Sequence, residues 1–283
     1  MDAAVQAAIA CMHERFGDPL TVTDIARNAS LGRFHFSRLF KEETGVSPGE
    51  FLDAVRVGEA RKLIDATSMS ITEISRAVGY TSPDSFADSF TALVGLSPGR
   101  FRRLCRKEGE APPLPRQDLD PGPRHGSLAG TVRLPPGHGD ARVFLGVFAT
   151  AVVQYPALAW RIVDVPGDRP SCYSLHHVPE GRRHLLAVAV AAGTGHDPQA
   201  VRTALVGGAA TAVMVTAGAV TSAAVRLRAA CRADPPVLLA LPCLEPPASV
   251  VPHPGCAAAT PASTGPQPVR LRVVPAAPAG SGA

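Results

Sequence analysis

Arg33, Phe34, Ser37, Arg38 and Lys41 fall on one side of a stretch that also places Phe36, Leu39 and Phe40 on the other. Guanidinium and ammonium groups bind phosphate oxygens, Arg can fork onto a base edge, and a hydroxyl serves either base or backbone. The apolar positions recur at three and four, so they are expected in a core, with the basic face exposed. A helix beginning near Leu31–Gly32 and running from Arg33 to Glu42 would carry both faces. Its free N–H groups and dipole would add attraction for phosphate at its start. This chemistry suits a DNA duplex.

The elements that must hold such a helix appear twice. FSRLFKEETGVSPGEF (Phe36 to Phe51) returns fifty positions later as FADSFTALVGLSPGRF (Phe86 to Phe101), and TVTDIARNAS (Thr21 to Ser30) returns forty-nine positions later as SITEISRAVG (Ser70 to Gly79). The offset changes by one because the second copy has one more residue in its turn. Each copy reads as short helix, turn, second helix. Thr21 with Asp24, and Ser70 with Glu73, have the spacing of a capping box, in which each side chain satisfies a free backbone N–H. Ser47-Pro48-Gly49-Glu50 is a further helix start, with Pro at the first helical position. No strong breaker follows until Ala66, so a connector of roughly 19 residues would span about 28 Å. Successive major grooves on one face of a duplex lie ~34 Å apart. Ahead of the repeat, Val5, Ile9, Met12 and Phe16 mark the apolar face of a first helix that Gly17 and Pro19 end.

These residues resemble the AraC/XylS-type DNA-binding domain over positions 8–104. The likeness is carried by Asp24-Ile25-Ala26, Ser37-Arg38-Leu39-Phe40-Lys41, Gly45, Ser47-Pro48, Arg56, Ala60 and Leu63 in the first half. Ile71, Glu73-Ile74, Val78-Gly79-Tyr80, Ser85-Phe86, Phe90, Gly95, Ser97-Pro98 and Phe101-Arg102 carry it in the second. The resemblance implies a bacterial transcription regulator reading two adjacent major-groove segments as a monomer or dimer, with RNA polymerase as a candidate partner. The second copy departs from the family, having Asp88 and Thr91 where Arg and Lys are usual and opening its second helix with Pro83-Asp84. The first copy is therefore expected to supply most of the affinity. Ser82, Ser85 and the run Arg100 to Lys107, with Arg102 and Arg103, are the expected contacts of the second.

The totals neither require nor forbid this reading. The chain has 283 residues and a formal charge of +4, but residues 1–108 hold 14 Lys/Arg against 14 Asp/Glu. DNA affinity must therefore come from local clusters rather than bulk charge. The six cysteines, at 11, 105, 172, 231, 243 and 256, form no C-x-x-C pair and suit free thiols in a reducing compartment. The N-terminus has no basic segment followed by an apolar run, and the most apolar stretches are too short to span a bilayer. A cytoplasmic protein with no membrane partner is expected.

Beyond the helices, residues 108–126 read as a linker rich in Pro, Gly and charge. Residues 127–244 read as an all-β sandwich, with strands expected in LAGTVRLP, ARVFLGVFA, WRIVDVP, CYSLHHVP, RHLLAVAV, AVMVTA, AVRLRA and VLLALP. Residues 245–283 read as a disordered Pro/Ala-rich tail with one strand-like island, VRLRVV (Val269 to Val274). Tyr173, Leu175, Val178, Pro179 and Gly181 resemble a turn of carboxypeptidase-regulatory or transthyretin-like sandwiches, which fold, dock or sense. A small-molecule or protein effector is expected at this region.

His176, His177, His184 and Cys172 are candidate metal ligands, but adjacent histidines on a regular strand point to opposite faces, so no metal is expected. Trp160, Tyr155 and Tyr173 read as core rather than pocket. Ser127, Ser171 and Ser174 lack a nucleophile setting, so neither catalysis nor a cofactor is expected. The rival reading makes the β region an interaction or carbohydrate-binding module and the helices a weak DNA tether.

Overall fold

A computed structural model describes residues 1–106, 124–193, 203–241 and 244–247. Most of the expected linker, Lys107, all but the first residues of the expected tail, and the VRLRVV island lie outside the described residues. The chain forms two compact units. Residues 150–156 and 231–240 belong with the helices, although both lie within the stretch read as β in the sequence.

The helical unit repeats as its sequence does. Helices α2 (Val22–Asn28) and α5 (Ile71–Ala77) have 7 residues each, and α3 (Arg33–Thr44) and α6 (Pro83–Val94) have 12 each. The extra residue falls in the second turn, between Ala77 and Pro83. Helix α1 (Ala3–Arg15) precedes the repeat and buries Val5, Ala8, Ile9 and Met12, while Phe16 lies half-buried just past its end. Helix α4 (Pro48–Ala66) has the 19 residues expected of the connector, and α7 (Pro98–Arg106) follows the second copy.

The expected caps are formed. Thr21 Oγ1 accepts the Asp24 N–H at 3.2 Å, and Asp24 accepts the Thr21 N–H at 3.1 Å. Ser70 and Glu73 make the same exchange at 3.2 and 2.7 Å. Ser47 and Glu50 cap α4 likewise, around Pro48. Hydrogen bonds from the Thr21 and Ser70 hydroxyls, and then from their backbone N–H groups, hold the carboxyls of Asp24 and Glu73 below their ordinary pKa, since the ionised carboxylate is the better acceptor.

The cores match ring for ring. Phe36, Phe40 and Phe51 form a chain with centroids 5.5 and 5.5 Å apart, and Phe86, Phe90 and Phe101 form another at 5.6 and 5.6 Å. Phe36, Phe40, Phe51, Phe86 and Phe90 are fully buried. Leu39, expected beside them, is only half-buried, because α3 turns its Phe pair squarely inward and leaves Leu39 at the edge. Arg56 of α4 ties the copies together. It donates to the carbonyls of Phe16 and Asp18, each at 2.9 Å, and lies over the Tyr80 ring.

The second unit is all β, in one sheet. Its strands are β1 (His125–Arg133), β2 (His138–Phe148), β3 (Ala159–Val165), β4 (Ser171–Pro179), β5 (Gly181–Gly193), β6 (Thr203–Gly208), β7 (Val213–Val215), β8 (Val220–Ser222) and β9 (Val225–Ala229). They run in the order β3-β2-β5-β6-β9-β1-β4, with β7 on β5 and β8 on β1. The two ends meet. Arg161 of β3 donates to Ser174 Oγ of β4 at 3.2 Å, and Ser171 Oγ donates to the Asp164 carbonyl at 3.0 Å, so the sheet is nearly closed. Opposite walls of this sheet face each other across a core that includes Leu128, Val143, Leu145, Leu175, Leu185 and Leu227.

Several local expectations change. β1 includes His125 and Gly126, which the sequence places in the linker. β6 and the three-residue β8, which pairs parallel to β1, are additional strands. VLLALP contains no strand over its described residues, and Val237 to Ala240 lie as coil in the helical unit. On β4 the alternation breaks. Gly126 pairs with Val178 but Leu128 pairs with Leu175, so one extra residue bulges out, and His177 has φ 57.

Cys172 is disulfide-bonded, contrary to the expectation of free thiols, while Cys11, Cys105 and Cys231 are in no disulfide. Trp160 stacks on Phe144, and buried Tyr173 donates its hydroxyl to the Ala223 carbonyl at 2.6 Å. Burial pushes that phenol up to about 12. Tyr155, by contrast, belongs to the helical unit. No helix among the described residues is long and apolar enough to cross a membrane.

Candidate DNA interface

The face presented by α3 is the one its sequence describes. Arg33, Phe34, Arg38 and Lys41 are exposed, and Ser37 is half-exposed between them. Phe34 is 89% exposed, the most exposed large apolar residue in the described structure and one that no core contact explains. Arg38 has only a loose ion pair with Glu42 at 3.9 Å, with both side chains largely in solvent. Such a pair is worth little and leaves the guanidinium able to exchange partners. His35 is also exposed in the first turn of α3. It is absent from the sequence-based set, although its place one turn before Arg38 was a readable signal.

The start of α3 is open. Gly32 at the N-cap makes no side-chain bond to the helix, and the first turn carries no acid. The first N–H groups of a helix have no partner inside it, and with the dipole they make an anion site.

Helix α6 begins in the opposite way. Ser82 accepts the Ser85 N–H at 3.1 Å, the two hydroxyls share a 2.6 Å bond, Pro83 contributes no N–H, and Asp84 occupies the first turn. One turn further, Asp88 is exposed. Thr91, also exposed, donates its hydroxyl back to the Ala87 carbonyl at 2.6 Å. The serines expected to reach DNA thus serve the cap first.

Among the expected contacts in α7, Arg100, Arg103 and Arg106 point to solvent, but Arg102 does not. Its guanidinium donates to the Met69 carbonyl, and its Nε is buried without a partner. Arg102 therefore braces α7 against the start of the second copy. Sequence gave no means of separating it from Arg103, since both are Arg on one short helix.

A protein-family model described as a helix-turn-helix domain matches residues 25–104. Among curated proteins, an uncharacterized HTH-type transcriptional regulator of Bacillus subtilis (YfiF) is 38% identical over 33% of this chain and 29% of its own length. The lactose operon transcription activator of Staphylococcus xylosus is 35% identical over 35% of each chain. Residues 25–104 form an AraC-type helix-turn-helix domain. This chain spans about a third of the length of those curated relatives. A solved transcriptional regulator with an AraC-type DNA-binding domain, from Chromobacterium violaceum, aligns at 28% identity and a TM-score of 0.35 over 37% of this chain and 93% of that one. In the AraC-type domain, α3 and α6 are the second helices of the two helix-turn-helix units. The family match ends before the β unit begins.

Proposed function

We propose that this protein is a sequence-specific DNA-binding transcriptional regulator of the AraC/XylS type, in which α3 is the dominant reading helix. The observation that carries the proposal is the open, acid-free start of α3 beneath exposed Arg33, Phe34, Arg38 and Lys41. Arg33, Ser37 and Arg38 read or flank bases, Phe34 packs against a thymine methyl or sugar, and Lys41 holds phosphate. Helix α6 docks in the next groove with Ser85, while Arg103 of α7 contacts the backbone. Helix α4 sets the separation. The β unit receives a small-molecule or protein effector, RNA polymerase is the downstream partner, and the protein acts in the cytoplasm. The regulator relatives support this reading and lend none to catalysis.

Fluorescence anisotropy and selection from random duplex pools at two salt concentrations test it. Enrichment of one site, with affinity falling at about 0.9 log units per log unit of salt for each phosphate neutralised, is the expected result. Flat, sequence-independent binding would leave the helices a weak tether for an interaction module.

A further inference from the structure

Helix α4 is not the only element joining the two copies. Reading helices α3 and α6 both end at a glycine with left-handed backbone, Gly45 at φ 81 and Gly95 at φ 86. One short segment passes over both ends. A Cβ on Gly45 would lie 2.8 Å from the Ala151 Cβ, and a Cβ on Gly95 would lie 2.7 Å from the Tyr155 ring. No side chain fits at either point unless the segment moves.

The segment is bonded as well as packed. The last carbonyls of a helix have no partner within it. At the end of α6, Leu93 O accepts the Tyr155 N–H at 2.8 Å and Val94 O accepts the Ala240 N–H at 3.3 Å. Residues 231–240 lock the first segment in place, because Val153 O accepts the N–H groups of both Leu238 and Leu239, at 2.8 and 3.0 Å. Val152, Leu238 and Leu239 are buried to within 2% of complete.

The same stretch grips α1 and α4. Arg61 of α4 donates to the Val237 carbonyl, Pro236 lies against Gly58, and His13 of α1 bonds the Arg232 carbonyl at 3.0 Å. Burial lowers the pKa of the Arg61 guanidinium to about 10 and depresses that of His13, so both groups lose solvent in this arrangement. These contacts all lie within the helical unit.

We propose that residues 150–156 and 231–240 form a positioning strap that pins the ends of α3 and α6 together and thereby sets the half-site spacing the protein accepts. The proposal rests on the DNA-binding reading above. A connector helix alone leaves two modules free to hinge about its ends, and their joint affinity then depends weakly on spacing. A strap that fixes both modules raises affinity for one spacing and penalises the others.

The test uses the full chain and the duplex it selects from a random pool, with one or two base pairs inserted between the contacted segments. Val152→Asp places a charge where the strap is buried and leaves every helix sequence intact. Binding to the best-spaced duplex is expected to fall about tenfold, with the inserted duplexes changing by about twofold or less, so that spacing discrimination flattens. Hydrogen exchange at Tyr155, Leu238 and Leu239 reports whether the strap has been released. Unchanged spacing preference with those amides deprotected overturns the strap and leaves the DNA-binding reading standing. Failure of the wild type to enrich any sequence overturns both.

If Val152→Asp loses its helical circular dichroism, Gly45→Ala is compared with Gly45→Ala/Ala151→Gly. The pair shares the backbone strain and differs in room for the strap. Spacing discrimination lost in the single variant and regained in the double supports the proposal, and identical behaviour of the two overturns it.

Discussion

The pair α2–α3 and the pair α5–α6 are built on one plan and finished with different surfaces. Helix lengths, capping boxes, Phe chains and glycine ends coincide, down to ring separations of 5.5 and 5.6 Å. Outward, position for position, Arg33 becomes Pro83, Phe34 becomes Asp84, Arg38 becomes Asp88 and Lys41 becomes Thr91. Duplication constrains what must pack and leaves free what meets solvent. A shared core therefore shows that two helices are presented alike, while their surfaces decide what each can bind.

The largest expected effect tests the shared half of this comparison. Phe40→Ala and Phe90→Ala each remove a fully buried ring. Each should cost about 3–5 kcal/mol in denaturant unfolding, with the two values agreeing within about 1 kcal/mol. A large inequality would show that the copies differ in core as well as surface.

A smaller effect marks one backbone difference. Gly79, φ 84, corresponds to Ser30, φ 56, and a Cβ on Gly79 would lie 2.6 Å from the Phe16 carbonyl oxygen. Gly79→Ser should destabilise by about 2 kcal/mol or more, combining left-handed strain with the clash.

The caps come next. Thr21→Ala and Ser70→Ala should each cost about 1 kcal/mol, read from thermal or denaturant midpoints. Asp24 and Glu73 have depressed pKa values in the folded state. Their contribution is therefore present above the unfolded values, about 3.9 for Asp and 4.3 for Glu, and is lost as pH falls through the lower folded values. Asp24→Asn and Glu73→Gln should flatten the acid limb of a stability–pH curve by similar amounts. The smallest effect is Ser30→Gly, a gain of about 0.5–1 kcal/mol in chemical unfolding, since relieved strain is partly offset by a more flexible unfolded chain.

The helical unit was legible because its signals are local. Capping boxes, three-and-four periodicity and Ser-Pro starts involve residues within a turn of one another. What escaped was set by distant partners. VLLALP reads as a strand because an apolar run does not name what buries it, and here its residues 237–240 belong with the helices. The bond from Arg102 to the Met69 carbonyl is made only because the fold brings the two together. The bulge at His176–His177 depends on register with β1, and the disulfide at Cys172 depends on proximity that spacing does not encode. Of the expected DNA contacts, those on α3 are exposed as their pattern implied, while Ser82 and Arg102 are engaged within the protein.

The claim that α3 dominates DNA reading is tested most directly by opposite charge changes at equivalent positions, Arg38→Asp and Asp88→Arg. Both variants are measured by anisotropy on the duplex selected by the wild type, across a salt series. Arg38→Asp should weaken binding by about tenfold or more, the scale of one lost base or phosphate contact. Asp88→Arg should strengthen it and steepen the salt dependence by about one phosphate's worth. Binding left unchanged by both substitutions would contradict the account.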